Sequence, residues 1–115
     1  MMSSITINIA TDFTPYPGGR YRSDGDFSGE RFREELLRPA FSNAENETIT
    51  VDLDGAAGFG SSFLEEAFGG LVRDCGFPVA EVLRRLKLKS SRPNYLTRIY
   101  GYIEQAANPA KRRLA

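Results

Sequence analysis

The side chains best placed to do chemistry are gathered in one stretch, VDLDGAAGFGSSF, from Val51 to Phe63. Asp52 and Asp54 alternate with Leu53, so in an extended backbone both carboxylates project from one face. Such a pair can ligate a divalent cation or divide acid and base work between its members. An Asp at a strand end also hydrogen-bonds its own turn. Ser61 and Ser62 follow, where a glycine-rich turn (Gly55 to Gly60) feeds a helix; helix starts present free N–H groups and a positive dipole end. Ser62 with Glu65 three residues on has the spacing of a capping box. Glu65 and Glu66 suit the first turn of such a helix, and also offer a carboxylate face to a partner. Known phosphate loops do not fit. Phe63 stands where the dinucleotide fingerprint opened by Gly58 and Gly60 would need its third glycine, and no Lys-Ser/Thr pair follows. Neither serine has the flanking glycines of a nucleophile elbow.

Composition narrows the chemistry further. The 115 residues include no histidine and one cysteine, Cys75. A Ser-His-Asp triad, a Cys-His dyad and a zinc site of imidazoles or paired thiolates are excluded within this sequence. No cofactor is implied. Cys75 falls on an apolar stripe and reads as core; a lone thiol suits a reducing cytosol. No window nears the ~20 apolar residues of a membrane span, and the start MMSSITINIA lacks the features of a signal peptide, so the cytoplasm is the expected location.

Charge is balanced, fifteen basic against fifteen acidic side chains, but not evenly spread. Residues 1–76 carry six basic and thirteen acidic groups, a balance of −7; residues 77–115 carry nine and two, a balance of +7. Two arginine-bearing segments stand out. Arg20 and Arg22, around Tyr21 in a glycine-rich loop, can grip a phosphate or carboxylate or pair with Asp24 and Asp26. Arg84, Arg85, Lys87, Lys89, Arg92 and Arg98 form a basic cluster in the last third, without any nucleic-acid-binding motif beside it.

The elements that must hold these residues follow from periodicity. Ser4 to Ala10 and Thr48 to Leu53 alternate as half-buried strands, and Leu86 to Lys89 as another. Between the first two lies TDFTPYPGGRYRSDGD, a loop or ragged hairpin in which Arg20–Arg22 could form a further short strand. Ser28 reads as a helix N-cap, with Phe27 and Phe32 at the spacing of a hydrophobic staple and Pro39 as the stop. The second helix carries Phe63, Ala67, Leu71 and Cys75 on one stripe and ends before Gly76 and Pro78. A short helix at Val79–Leu83 follows. A last helix starts near Pro93, with Leu96, Ile99, Tyr100, Ile103 and Ala107 as its buried face, and Pro109 ends it. One domain spanning 1–115 with a basic tail at 109–115 is expected: an α/β fold, a small mixed sheet of about four strands flanked by helices.

The segment VDLDGAAGFGSSFLEEAFGGLVR resembles the STAS-like domains, relatives of the STAS fold of anti-sigma factor antagonists. PGGRYRSDGDFSGERFREELLRPAF upstream is similar to the same group's glycine-rich loop and first helix. The resemblance implies a bacterial regulatory domain that works by protein contact and is not an enzyme. In those antagonists a serine at the start of the helix after the central strand is phosphorylated by the partner, an ATP-binding anti-sigma kinase, and binding is switched off. By placement that serine matches Ser61, within the pair Ser61-Ser62; Gly60 stands where those antagonists carry aspartate, and Phe63 where they carry glycine. The implied contact surface comprises Gly60, Ser61, Ser62, Phe63, Glu65 and Glu66, with Arg20 and Arg22 beside them. The second reading is a nucleic-acid- or anion-binding accessory protein that uses Arg20, Arg22 and the basic C-terminal third.

Overall fold

Three strands form the centre of the structure, a computed structural model describing residues 3–108. They are β1 (Ser3–Asn8), β2 (Asn46–Asp52) and β3 (Leu86–Lys89), in the order β1-β2-β3, all parallel. Ile5 pairs with Ile49 and Ile7 with Val51, while Ile49 and Val51 pair in turn with Leu86 and Leu88. The period-two pattern therefore places one apolar row across the whole sheet. All three strands end at the same border, where Asn8, Asp52 and Lys89 are in register.

The architecture is α/β, but the sheet is parallel rather than mixed, and the described residues hold three strands rather than four. The strand expected at Arg20–Arg22 is a loop closing into a short 3₁₀ turn, Arg22–Asp24. Its backbone is committed elsewhere. The carbonyls of Gly19 and Arg20 accept from the N–H groups of Gly29 and Glu30, each at 3.0 Å, so this segment closes off a helix start instead of joining a ladder.

Two long helical runs cover the apolar row. The first, α2, spans 29–42 and follows a single turn, α1 (Ile9–Asp12). Ser28 Oγ accepts from Arg31 N at 3.1 Å and caps α2 as expected. The staple has an intermediary. Phe27 and Phe32 each pack on Phe13, with ring centroids 5.6 and 5.3 Å away. Pro39 lies inside α2 instead of ending it, because a π turn at Arg33–Leu37 immediately precedes it. The wider turn relieves the crowding that a proline ring imposes on the carbonyl four residues earlier.

The second run, α3, spans 61–73 and contains a matching π turn at Glu65–Gly69. Helices α4 (Val79–Arg85) and α5 (Pro93–Ala106) flank β3. Phe32, Phe41, Phe63, Phe68, Leu64, Leu71, Ile99 and Ile103 fill the space between helices and sheet, all at most 2% exposed. Each such side chain stabilises the fold by about 1.5–3 kcal/mol through burial. On α5 the buried positions are Ile99, Ile103 and Ala106, one residue short of the expected Ala107. The opposite face of the sheet is polar and open: Ser4, Thr6, Lys87 and Lys89 are exposed, and Thr48 and Thr50 are only half-buried. The basic tail at 109–115 lies outside the described residues.

Where helices α2 and α3 cross, two glycines remove the side chains that would hold them apart. A Cβ on Gly29 would run into the carbonyl of Phe63, and one on Gly70 into the guanidinium of Arg33. A helix-interior glycine costs conformational entropy; Gly70 makes room for the charged Arg33 side chain between the helices, and Gly29, at the start of α2, for the α3 backbone.

Candidate functional site

The turn after β2 is anchored at three points before it reaches Ser61. Asp54 Oδ1 accepts from both the backbone N–H and the hydroxyl of Ser91, at 2.9 Å each. Those two hydrogen bonds hold the Asp54 carboxyl below the usual carboxylate range. Tyr95 Oη accepts from Phe59 N at 3.3 Å while its ring meets Phe59 edge-on at 5.3 Å. Ala57 N donates to the carbonyl of Pro15 at 2.8 Å, which draws the first loop against the second. Gly55, with φ +98°, makes the bend that only glycine adopts without strain.

Asp52 and Asp54 are thereby structural in this arrangement. Asp52 Oδ1 accepts from Asp54 N at 3.0 Å, and its other oxygen faces Lys89 Nζ at 3.7 Å. The two carboxylates serve the turn and the neighbouring strand connection, the Asx-turn role such residues commonly take.

The anchored turn presents Gly60, Ser61 and Ser62 to solvent, all three exposed. Helix α3 starts two residues earlier than a Ser62 cap requires. Gly60 is the N-cap (φ −75°, ψ 154°) with no side-chain cap, so the expected Ser62–Glu65 capping box does not form. Neither serine hydroxyl takes part in a hydrogen bond within the described residues. Phe63 turns inward and is 1% exposed, stacked on Phe32 and tilted against Phe59.

Glu65 and Glu66 lie beyond the first turn and face inward. Glu66, only 3% exposed as a residue, receives Arg33 Nη1 at 2.7 Å on its carboxylate and at 2.8 Å on its own carbonyl. Arg73 reaches the same carboxylate at 3.2 Å and Arg20 at 3.4 Å. Glu65 bridges Arg20 and Arg73. Arg33, also buried, binds Glu34 at 2.9 Å as well. Burial disfavours these charges, yet the surrounding partners outweigh it: Arg33 is held well above the ordinary guanidinium value and Glu65 below the ordinary carboxylate value. Seven charged groups from three segments (Arg20, Arg33, Glu34, Glu65, Glu66, Arg73 and Asp74) thus tie the glycine–arginine loop and the two long helices together.

The surface expected from sequence is therefore divided. Gly60, Ser61 and Ser62 are presented outward, whereas Phe63 and Glu66 are buried and Glu65 is largely enclosed by arginines. Arg20 is spent on Glu65 and Glu66. Arg22 instead donates its N–H to Glu30 at 2.8 Å and places its guanidinium 3.6 Å from Glu35; neither arginine pairs with Asp24 or Asp26. The basic cluster is divided too. Arg85 is buried and donates to the carbonyls of Phe41, Asn43 and Asn46, while Arg84 faces Glu47. The sequence analysis missed the aromatic side chains around the first loop as surface: Tyr16, Tyr21 and Phe27 are the exposed large hydrophobic residues. Their density among glycines and prolines was the available signal, since such a loop cannot bury three rings. Cys75 is half-buried, and burial together with nearby Glu34 pushes its thiol up.

A comparison with protein families matches residues 28–96, more than half of the chain, to the STAS-like domain of unknown function (DUF4325). The chain belongs to this STAS-like family. The match takes in the capped helix α2, the turn with Ser61 and Ser62, β3 and the start of α5, and leaves Arg20 and Arg22 outside it. No curated protein and no solved structure matches the chain. In this STAS-like domain no described helix is long and apolar enough to cross a membrane.

Proposed function

We propose that this STAS-like domain is a non-catalytic regulatory contact module of the bacterial cytoplasm. The outward-facing Gly60, Ser61 and Ser62 form the centre of its partner surface, and the partner is an ATP-binding kinase of the anti-sigma type. The observation that supports this reading is the pair of exposed serine hydroxyls at the start of α3, which no structural hydrogen bond uses. A helix that needs neither hydroxyl for its cap leaves both available to a kinase. Phosphate on Ser61 would add about −1.5 to −2 charges at neutral pH. Glu65 lies one helical turn on from Ser61 and is itself held by Arg20. A partner face lined with carboxylates would then be repelled. Tyr16, Tyr21 and Phe27 expose apolar area elsewhere on the first loop, the kind of surface that contacts use. Burial of Phe63, Glu65 and Glu66 gives these residues the task of holding the presented turn in shape.

The test uses the purified chain with an anti-sigma-type ATP-binding kinase encoded beside its gene. Binding measured by calorimetry is expected to survive Ser61→Ala and to be lost in Ser61→Asp, and ATP should deposit one phosphate on Ser61 or Ser62, located by mass spectrometry. Equal binding by wild type, Ser61→Ala and Ser61→Asp, with no phosphate transferred, overturns the reading.

A further inference from the structure

Ten arginines fall within the described residues, and eight of them lie within ion-pair distance of an internal carboxylate. The other two, Arg92 and Arg98, have no carboxylate within that distance among the described residues, and both line the same cleft of about 450 Å³ along the first turns of α5. Ser91, Pro93, Asn94 and Tyr95 complete its lining. We propose that this cleft binds a small phosphate-bearing molecule, a role separate from the contact surface at Ser61.

Among the described residues, arginines are otherwise paired with carboxylates at ion-pair distance, so Arg92, which feels Asp54 only at longer range, and Arg98 leave net positive charge in one concavity. A phosphate carries about −1.5 to −2 at neutral pH, and guanidinium forks match its oxygens bidentately. Arg92 donates to Tyr95 Oη at 3.4 Å, which holds its side chain along the cleft, while Arg98 and Asn94 are exposed and keep their donors free. The volume is within the usual range for small-molecule sites, roughly 300–1,000 Å³, and exceeds what a bare phosphate fills.

The surroundings favour a compact anion over a polyanion. A smaller recess shares Ser91, Arg92 and Tyr95 with the cleft and is lined on its other side by Asp54. Asp52, at the end of β2, is paired with Lys89. An extended nucleic-acid strand running past Arg92 into that recess would meet the Asp54 carboxylate, whereas a small phosphate on the Arg98 side of the cleft stays outside the recess.

The experiment follows backbone and arginine side-chain NMR signals of the whole chain at fixed ionic strength, using inorganic phosphate and adenosine monophosphate as separate probes. Saturable shifts at residues 91–98 are expected with both. Equal affinities identify free phosphate as sufficient, and tighter binding of the nucleotide shows that the rest of the cleft contributes; either supports the proposal. Arg92→Gln and Arg98→Gln should each weaken binding about tenfold or more, the usual effect of losing a charged hydrogen bond. Arg84→Gln, which removes an exposed arginine already facing Glu47, should leave it unchanged. The proposal is overturned by non-saturating shifts, by an equal response to chloride or acetate, by equal weakening in Arg84→Gln, or by binding of a single-stranded oligonucleotide without binding of either probe. Because no protein partner enters the experiment, its failure leaves the contact reading at Ser61 untouched.

Discussion

Replacing Arg33 by methionine tests whether the charges between the two long helices are as interdependent as their geometry implies. The substitution keeps the aliphatic stem and removes three hydrogen bonds, Nη1 to the Glu66 carboxylate at 2.7 Å, Nη1 to the Glu66 carbonyl at 2.8 Å and Nε to Glu34 at 2.9 Å, together with the ion pair to Asp74 at 3.6 Å. Breaking a buried pair by removing one partner typically costs about 3–5 kcal/mol, because the other charge stays buried. Glu66 would retain Arg73 at 3.2 Å and Arg20 at 3.4 Å, so the lower end applies. A loss of about 3 kcal/mol is a large part of the roughly 5–15 kcal/mol that holds an average domain together. At about 4 °C per kcal/mol for a chain of this length, Tm should fall by about 12 °C. Urea unfolding followed by circular dichroism gives the same quantity independently. Arg33→Met combined with Glu66→Met removes both charges and should recover about 2 kcal/mol of the loss, since replacing a buried pair with apolar groups is often neutral or better. The reasoning fails if Arg33→Met lies within about 1 kcal/mol of wild type, or if the double variant is as unstable as the two single losses added together.

Three further outcomes follow from the same structure. Ser28→Ala should cost about 1 kcal/mol through loss of the α2 cap, while Ser61→Ala and Ser62→Ala should stay within about 0.5 kcal/mol; equal losses at Ser28 and Ser61 would show that α3 does use a serine cap. Gly29→Ala should destabilise by about 1–3 kcal/mol, the usual cost of overpacking, because its methyl group runs into the Phe63 carbonyl; Gly60→Ala, with open space around it, should be far milder. Glu65 and Glu34 have folded-state pKa values below their ordinary ones, since arginine hydrogen bonds outweigh burial. Their contribution is present above the unfolded Glu value of about 4.3 and is lost as pH falls through the lower folded values. Unfolding midpoints should therefore be steady near neutrality and drop on acidification below about pH 4, less steeply in Glu65→Gln; identical midpoints at pH 3.5 and 6 would contradict this.

What could be read from the sequence was what neighbours in sequence decide. Alternation at Ile5-Ile7, Ile49-Val51 and Leu86-Leu88 marked the strands because side-chain direction in a strand is a local property. Ser28 could be identified as a cap because its partner is three residues away. Most of the misreadings depend on distant residues or on backbone geometry with no residue signature. Phe27 and Phe32 meet through Phe13, a ring from before the loop. Pro39 is tolerated because of a π turn that no local pattern announces. Glu66, read as a first-turn acid, is claimed by Arg33 from 33 positions upstream. In the candidate site, exposure of Ser61 and Ser62 matched a helix start, but Arg20 gave no local sign of its commitment to Glu65. The charge asymmetry between the two parts of the chain is partly resolved by folding, through Arg84–Glu47 and Lys89–Asp52 across the sheet.

The sheet has two unlike borders. Along β3, Lys87 and Lys89 project from an outer strand, and a strand added there would have to accommodate both ammonium groups. Along β1, from Ser3 to Asn8, no residue carries a charge. A strand added to this sheet would meet less electrostatic resistance beside β1 than beside β3, so the uncharged edge is the one at which the sheet is readier to grow.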